Sequence, residues 1–171
     1  FKLEQWNRIV RKFNFGVKTG LDLPGEKKGI IPNKEYMDEK YGKNGWGRGS
    51  LLNFVIGQGD VLTTPIQVIQ IMNFISTNGQ TFRPRLNKSN KSIPISLDLK
   101  QSTWDFLQKS TFLVVNDSRG TGVNAKTEHG IVRGKTGTAQ NPHGDDHSWF
   151  SGYIETKSGE KASIVVLIEH G

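Results

Sequence analysis

Hydrophobic residues recur at helical spacing over the first fifteen positions of the chain. The apolar members of this stripe lie opposite a Lys- and Arg-rich side, and they are Phe1, Leu3, Trp6, Ile9, Val10 and Phe13. A repeat of three to four residues is that of an amphipathic helix. The pattern therefore predicts a helix over 1–15, closed by Gly16 as a C-terminal glycine cap.

The periodicity is lost over 16–50, where glycine and proline are frequent. This composition predicts a long ordered loop region with one short helical turn around Lys34–Tyr41. A connection of this length inside a compact domain is usually functional or well packed.

The strongest helix prediction covers 65–77. Thr64 is a suitable N-cap, Pro65 fits the first helical position and Gln67 completes a capping box. Apolar residues lie on nearly every side of this helix, which indicates that most of its surface is buried.

A second helix is predicted over about 98–115, after a polar connector at Asn87–Ser92. Its inward-facing residues are predicted to be Leu99, Phe106, Leu107, Leu113 and Val114.

Alternating strand patterns follow residue 130. They predict strands at Ile131–Ala139, Ser148–Ile154 and Ala162–Ile168, with a hairpin turn at Glu155–Lys161. Helices first and antiparallel strands last indicate an α+β fold.

Composition narrows the class of protein. The 171 residues carry a formal net charge of +7, a mean hydropathy of −0.51 and no cysteine. These values exclude a membrane-spanning bundle, a disulfide scaffold, a thiolate metal site and a cysteine nucleophile. The positive charge suits either an anionic partner or a solubilising surface.

The segment Arg133–Gln140, which reads RGKTGTAQ, is the strongest candidate for chemistry. A phosphate-binding loop of a nucleotide enzyme needs a glycine five positions before Gly134, but His129 stands there. That loop must also open into a helix, whereas a strand pattern continues here. A basic nucleic-acid-binding module, suggested by Trp46–Ser50, is the other alternative from a different class; no known module of that kind fits.

The Lys-Thr-Gly sequence at Lys135–Gly137 suits a serine acyl transferase instead. Strand alternation places Lys135 and Gly137 on one face and Thr136 and Thr138 on the other. A second Lys-Thr-Gly, at Lys18–Gly20, falls in the Gly- and Pro-rich region and is interpreted as loop.

Seven collinear stretches resemble class B penicillin-binding proteins, in particular the penicillin-binding protein 2 group. They are Phe15–Glu26, Gly29–Pro32, Ile56–Gly59 with Thr64–Gln67, Asn78-Gly79 with Arg83–Leu86, Gly134–Gln140, His147–Gly152 and Val165–Gly171. The resemblance implies a β-lactamase/transpeptidase-like fold, a five-stranded antiparallel sheet flanked by helices. Residues 1–171 would be the C-terminal part of a single transpeptidase domain.

The resemblance also implies a function and roles for four residues. The parent enzyme would cross-link peptidoglycan stem peptides through a serine acyl-enzyme and bind β-lactam antibiotics. Lys135 would be catalytic, through its charge and a proton network. Thr136 and Thr138 would hold the substrate carboxylate, Gly137 would give clearance, and the Thr138 backbone N–H would complete the oxyanion hole.

The expected partners are stem peptides, β-lactams and cell-elongation proteins, without nucleic acid, metal or organic cofactor. The parent would be membrane-anchored, with this domain extracytoplasmic.

Two other motifs of the family are absent in usable form. The only Ser-x-x-Lys match, Ser158–Lys161, lies in the predicted hairpin turn, where no general base would be held beside the serine. Ser76–Asn78 matches Ser-x-Asn but ends the buried helix. We expect both functional boxes, two strands of the sheet and a terminal helix to lie outside Phe1–Gly171, so this segment alone should be inactive.

The polar cluster His143, Asp145, Asp146 and His147 has the composition of a zinc site. Pro142 and Gly144 make it a loop, for which a solvated surface is expected rather than a metal centre. The resemblance implies that this loop lies at the rim of the substrate cleft. Trp149 is expected to be a core tryptophan, with a place in the lining of the cleft as the alternative.

Overall fold

Helices come first along the chain and the main sheet comes last. The computed structural model describes residues 2–141 and 143–171. Its helices are α1 (Leu3–Lys12), α2 (Lys34–Tyr41), α3 (Arg48–Val55), α4 (Pro65–Ser76) and α5 (Gln101–Asn116), with a 3₁₀ turn at Val123–Ala125. Its strands are β1 (Gln80–Phe82), β2 (Pro94–Ser96), β3 (Gly130–Ala139), β4 (His147–Thr156) and β5 (Lys161–Ile168). The predictions made for Phe1 and Pro142 lie outside the described residues.

The main sheet is antiparallel with the order β3-β4-β5. Lys135 lies opposite Ser151, and Gly137 lies opposite Trp149. A tight turn joins β4 to β5, with Gly159 at a φ of 84°. All three predicted strands and the predicted hairpin are confirmed, and the fold is α+β.

Helix α4 begins as predicted. The Thr64 side chain accepts from the Gln67 backbone N–H, and the Gln67 side chain accepts from the Thr64 N–H. The helix packs against β4 and β5 in a core that also takes residues from α5 and from the segment before it. That core contains Met72, Phe74, Ile75, Leu97, Trp104 and Tyr153.

The N-terminal region forms a second core. It joins α1, α2, α3 and the segment between α1 and α2 through Leu3, Trp6, Ile31, Met37 and Phe54. The region 16–50 is therefore held in place by packing, and the predicted turn at Lys34–Tyr41 is the helix α2.

Three predictions in this region were wrong. Helix α1 ends at Lys12, and Asn14 already has a φ of 64°, so Gly16 does not cap it. Ile9 is 48% exposed rather than inward-facing. The loop predicted over 16–50 includes the start of α3, because Gly47 and Gly49 disfavour a helix. Burial of Phe54 in the second core stabilises this helix.

The predicted inward face of α5 was also partly wrong. Phe106 is 68% exposed and Leu113 is 42% exposed. The buried positions are Trp104, Thr111 and Val115, whose spacing of seven and four residues defines a different face of the helix.

The polar connector Asn87–Ser92 lies between the two strands of a small sheet that the sequence pattern did not predict. β1 pairs antiparallel with β2, and Thr81 lies opposite Ile95. Gly79 allows the chain to turn into this hairpin, because it has a φ of 84° and a Cβ there would lie 2.2 Å from the Leu97 carbonyl oxygen.

Candidate active site

The Lys-Thr-Gly strand lies at the edge of the main sheet. β3 pairs with β4 on one side, and no strand of the described residues pairs with its other side. Three side chains donate hydrogen bonds to carbonyls on this free edge: Asn116 to Val132 (2.9 Å), Lys135 to Thr136 (2.6 Å) and Gln58 to Thr138 (3.0 Å). Even-numbered residues of β3 therefore direct their backbone groups away from β4.

This alternation fixes the direction of the Thr138 N–H. In an antiparallel strand the N–H and C=O of one residue point to the same side. Since the Thr138 carbonyl accepts from Gln58 on the free edge, the Thr138 N–H also points to that edge. The Thr138 N–H therefore faces the side of β3 that no strand of the described residues covers.

A cavity of about 540 Å³ runs along the free edge. One wall is Lys135–Asn141 of β3 and the residues after it, together with Trp149 and Ser151 of β4. The other wall is the segment 56–63, which follows α3. The structure thus brings all four sequence-predicted site residues, Lys135, Thr136, Gly137 and Thr138, to one concave surface.

The charge of this cavity comes from one side chain. Among the described residues that line it, Lys135 is the only Lys, Arg, Asp or Glu. A single ammonium group in a largely apolar concave surface favours an anionic ligand group such as a carboxylate.

The two threonines of the strand differ in their surroundings. Thr138 is exposed, whereas Thr136 is half-buried and its hydroxyl lies 2.7 Å from that of Thr121. Thr121 belongs to the Gly-rich turn after α5 and was not predicted as a site residue. Its sequence signal, Gly120-Thr121-Gly122, is too short to be distinctive.

The glycines of the strand also differ. A Cβ at Gly134 would lie 2.5 Å from the Phe150 ring, so this position must stay small for the sheet to pack. A Cβ at Gly137 would meet only Trp149 Cβ, at 3.4 Å. The absence of a side chain at Gly137 is therefore not required by packing, which leaves the face beside Lys135 open.

Trp149 lines the cavity and is half-buried. The expectation of a core tryptophan was wrong. Trp149 lies opposite Gly137, so its side chain is on the same face of the sheet as Lys135 and borders the cavity. The alternative place for Trp149, in the lining of the cleft, agrees with its position beside the cavity. Gln58, on the opposite wall, was not predicted as a site residue.

Contacts with the N-terminal half of the chain anchor the 56–63 wall. Ile30 and Leu62 exchange backbone hydrogen bonds of 2.8 and 2.9 Å. Asp60 accepts a hydrogen bond of 2.7 Å from the Tyr41 hydroxyl and forms an ion pair with Lys40. Burial tends to raise the pKa of Asp60, but the hydrogen bonds from Lys40 and Tyr41 outweigh it and lower the pKa.

The second Lys-Thr-Gly copy is a structural loop, as predicted. Glu26 accepts hydrogen bonds from the Thr19 N–H (2.7 Å), the Thr19 hydroxyl (2.6 Å) and the Gly20 N–H (3.1 Å). Burial opposes these bonds, but together they lower the pKa of Glu26. Thr19 is buried, so this copy presents no hydroxyl to a ligand.

The Ser-x-x-Lys match lies where the sequence analysis placed it. Ser158 is in the β4–β5 turn and its hydroxyl contacts Thr156 and Glu160. The Lys161 ammonium donates instead to the Ser76 carbonyl, at 2.8 Å. Ser76, the start of the Ser-x-Asn match, is buried at the end of α4.

The polar loop near the cavity is held by hydrogen bonds. Asp146 accepts from the Asn141 N–H at 3.2 Å, and the His147 ring accepts from the His170 N–H at 3.2 Å. Within residues 2–141 and 143–171, no three His, Cys, Asp or Glu side chains are grouped so as to hold a metal ion.

The two alternative interpretations conflict with the structure. The phosphate-loop interpretation needs a helix after Thr136, but β3 continues to Ala139. The stacking platform proposed for nucleic acid needs a free indole, whereas Trp46 is half-buried and donates to Asp38 at 2.8 Å.

Comparison with known proteins identifies the family. The family described as "Penicillin binding protein transpeptidase domain" matches residues 1–171. The chain belongs to the penicillin-binding protein transpeptidase family.

Individual relatives place it in the penicillin-binding protein 2 group. It is 28% identical to the peptidoglycan D,D-transpeptidase MrdA of Haemophilus influenzae over 99% of this chain and 29% of that protein. Penicillin-binding protein 2 of Helicobacter pylori, solved in complex with MreC, superposes with a TM-score of 0.88 at 29% identity, over 100% of this chain and 32% of that one. The Pseudomonas aeruginosa protein gives a TM-score of 0.83 at 28% identity, over 99% of this chain and 38% of that one.

The chain thus spans about a third of these relatives and is part of a transpeptidase domain of this group. In the part of the chain that the structure describes, no helix is both long enough and apolar enough to cross a bilayer.

Proposed function

We propose that this chain forms one wall of the substrate cleft of a peptidoglycan D,D-transpeptidase, as the C-terminal part of a single transpeptidase domain. The observation that carries the proposal is the placement of Lys135–Thr138 on the free edge of β3, along a cavity whose described lining contains one charged side chain. The substrate class follows from the relatives named D,D-transpeptidase.

The reaction has two steps. A serine hydroxyl from a part of the protein outside these 171 residues attacks the carbonyl carbon of the D-Ala-D-Ala bond and loses its proton. The C–N bond breaks, D-Ala leaves as the protonated amine, and the acyl group remains on the serine. An amine of a neighbouring stem peptide then attacks the ester, which forms the cross-link and frees the serine.

Residues of β3 assist both steps. Lys135 attracts the substrate carboxylate and contacts the proton network of the serine. The hydroxyls of Thr138 and Thr136 bind that carboxylate. Because the Thr136 hydroxyl also bonds the Thr121 hydroxyl, Thr136 would serve both partners. The Thr138 N–H stabilises the oxyanion, an interaction worth about 3–4 kcal/mol in other acyl transferases. Gly137 leaves space for the substrate backbone.

β-Lactams would enter the same cleft, because they present a strained amide beside a carboxylate and trap the serine as an ester. The parent protein would act outside the cytoplasmic membrane, anchored to it, and bind cell-elongation proteins. The partner proposal is supported by the Helicobacter pylori structure, which was solved with MreC.

The test is to treat the full-length protein that carries this segment with penicillin and to locate the adduct by mass spectrometry. We expect one penicilloyl group on a serine outside residues 1–171. An adduct on Ser158, or no adduct at all, would contradict the proposal.

A further inference from the structure

Gln58 reaches across the cavity and contacts the free edge of β3 at two points. Its Nε2 donates to the Thr138 carbonyl at 3.0 Å, and its Oε1 accepts from the Gln140 N–H at 3.4 Å. Both groups face the edge of β3 that no strand of the described residues covers, where a neighbouring strand would otherwise bond them. The Gln58 amide therefore supplies hydrogen bonds to this edge in place of a neighbouring strand.

The backbone of Gln58 is itself held firmly. Its N–H donates to the Asn53 carbonyl at 2.9 Å, and the Gly57 N–H donates to the Phe54 carbonyl at 3.0 Å, so the turn continues from the end of α3. Gly57 and Gly59, on either side, have φ values of 78° and 70°, a conformation that favours glycine.

This turn is also packed against the N-terminal core. A Cβ at Gly59 would lie 3.3 Å from the ring of Phe54, which is 3% exposed. The Gln58 side chain consequently connects a rigid core to the end of β3, and the glycines on both sides are explained by this geometry.

The contact falls on the residue whose N–H points to the cavity. The Thr138 C=O and N–H lie on the same edge, so a bond to the carbonyl restrains the peptide groups around Thr138. The bond from Gln140 restrains the next one. A strand end without a neighbouring strand would otherwise be free to bend away from the opposite wall.

We propose that Gln58 is a positioning residue for acylation: by pairing with Thr138 and Gln140 it fixes the edge of β3, so that the Thr138 N–H stays aimed at the oxyanion. This role rests on the proposed function. It predicts an effect on the rate of bond formation rather than on the initial binding of the antibiotic.

The test uses the full-length protein and the variant Gln58→Met, which keeps the length of the side chain and removes both hydrogen bonds. The acylation rate constant for a chromogenic β-lactam should fall about 10- to 100-fold, because small errors of alignment are costly in catalysis. The dissociation constant of the non-covalent complex should change by less than about threefold. In Gln58→Glu, which keeps the acceptor but loses the donor to Thr138, the rate constant should fall at least as far.

Gln108→Met is the matched control. The Gln108 amide donates to the Ile75 carbonyl at 2.8 Å and to the Asn78 side chain at 2.7 Å, at the α4–α5 contact. Loss of these bonds should lower Tm and leave the acylation rate constant of the folded protein unchanged.

Hydrogen exchange gives a readout that does not depend on acylation. A peptide that contains Gln140 should exchange faster in Gln58→Met than in the wild type. Unchanged exchange, or a wild-type acylation rate constant in Gln58→Met, would refute the role of Gln58 while leaving the proposed function intact. If the wild-type protein forms no adduct, the proposed function fails, and this role fails with it.

Discussion

Gln67 offers a quantitative test of how the long N-terminal loop is held. Its Nε2 donates to the carbonyls of Val17 and Lys28, each at 2.9 Å, and more weakly to that of Asn14, at 3.4 Å. Its Oε1 accepts from the Thr64 N–H at 3.0 Å. The side chain is fully buried, so water cannot replace these bonds in Gln67→Met.

The expected loss follows from the bonds removed. A typical hydrogen bond contributes about 0.5–1.5 kcal/mol net, and the buried carbonyls that remain unpaired add to the cost. With two short bonds to the loop lost and both buried carbonyls left unpaired in the closed state, Gln67→Met should make opening of the 17–28 loop easier by about 2–3 kcal/mol. That difference corresponds to an increase of about 30- to 140-fold in the open population.

Limited proteolysis of the full-length protein measures that population. Lys27 and Lys28 are exposed trypsin sites, and cleavage tracks the open fraction when opening and closing are fast. Mass spectrometry should show cleavage after these residues accelerated by the factor above.

The matched control lies one turn further along α4. Gln70 is 2% exposed, and neither polar atom of its side chain has a hydrogen-bond partner among the described residues. Gln70→Met should therefore leave loop cleavage unchanged and leave Tm equal or higher. Equal effects of the two variants, or no effect of Gln67→Met, would refute the reasoning.

Two further predictions concern the strand glycines and the pH dependence of stability. Gly134→Ala should destabilise the protein by about 1–3 kcal/mol through overpacking against Phe150. Gly137→Ala should keep a stability within about 0.5 kcal/mol of wild type and still slow acylation. Thermal unfolding and acylation kinetics check both variants, and equal losses of Tm would contradict the packing argument. Since the pKa of Glu26 is lowered in the folded state, its stabilisation is complete above its unfolded pKa and lost as pH falls through the folded one. Glu26→Gln should thus lower Tm at pH 7, and this Tm difference should shrink as pH falls below the unfolded pKa of the carboxyl; a Tm difference that stays constant as pH falls would count against the bonds to Thr19.

The sequence alone predicted elements whose signals are local. Thr64, Pro65 and Gln67 specify the start of α4 through one capping box, and the Ser158-Gly159 turn specifies the last hairpin. In such cases neighbouring residues determine the backbone conformation directly.

Elements stabilised by distant contacts escaped prediction. Helix α3 contains Gly49 and forms because Phe54 enters a core built by α1 and α2. The buried face of α5 depends on Trp104, which packs beside Gly79 and Tyr153 from other parts of the chain. Local propensity cannot report such packing.

The candidate site divides in the same way. Strand alternation and the family resemblance together are sufficient to predict Lys135–Thr138 as site residues. Gln58 is 80 positions from Thr138 along the chain, and only the fold brings their hydrogen-bonding groups together.

The two Lys-Thr-Gly copies allow the most direct test of the account. In the full-length protein, Lys135→Ala should slow acylation by penicillin about 100-fold or more, because it removes the cation beside the reacting groups. Lys18→Ala changes the same motif in the structural loop and should acylate at the wild-type rate. Two results would contradict the assignment of Lys135–Thr138 to the substrate cleft. One is an acylation rate in Lys135→Ala within about twofold of wild type, which is less than the effect of losing a single catalytic contact. The other is an equal loss of acylation rate in the two variants.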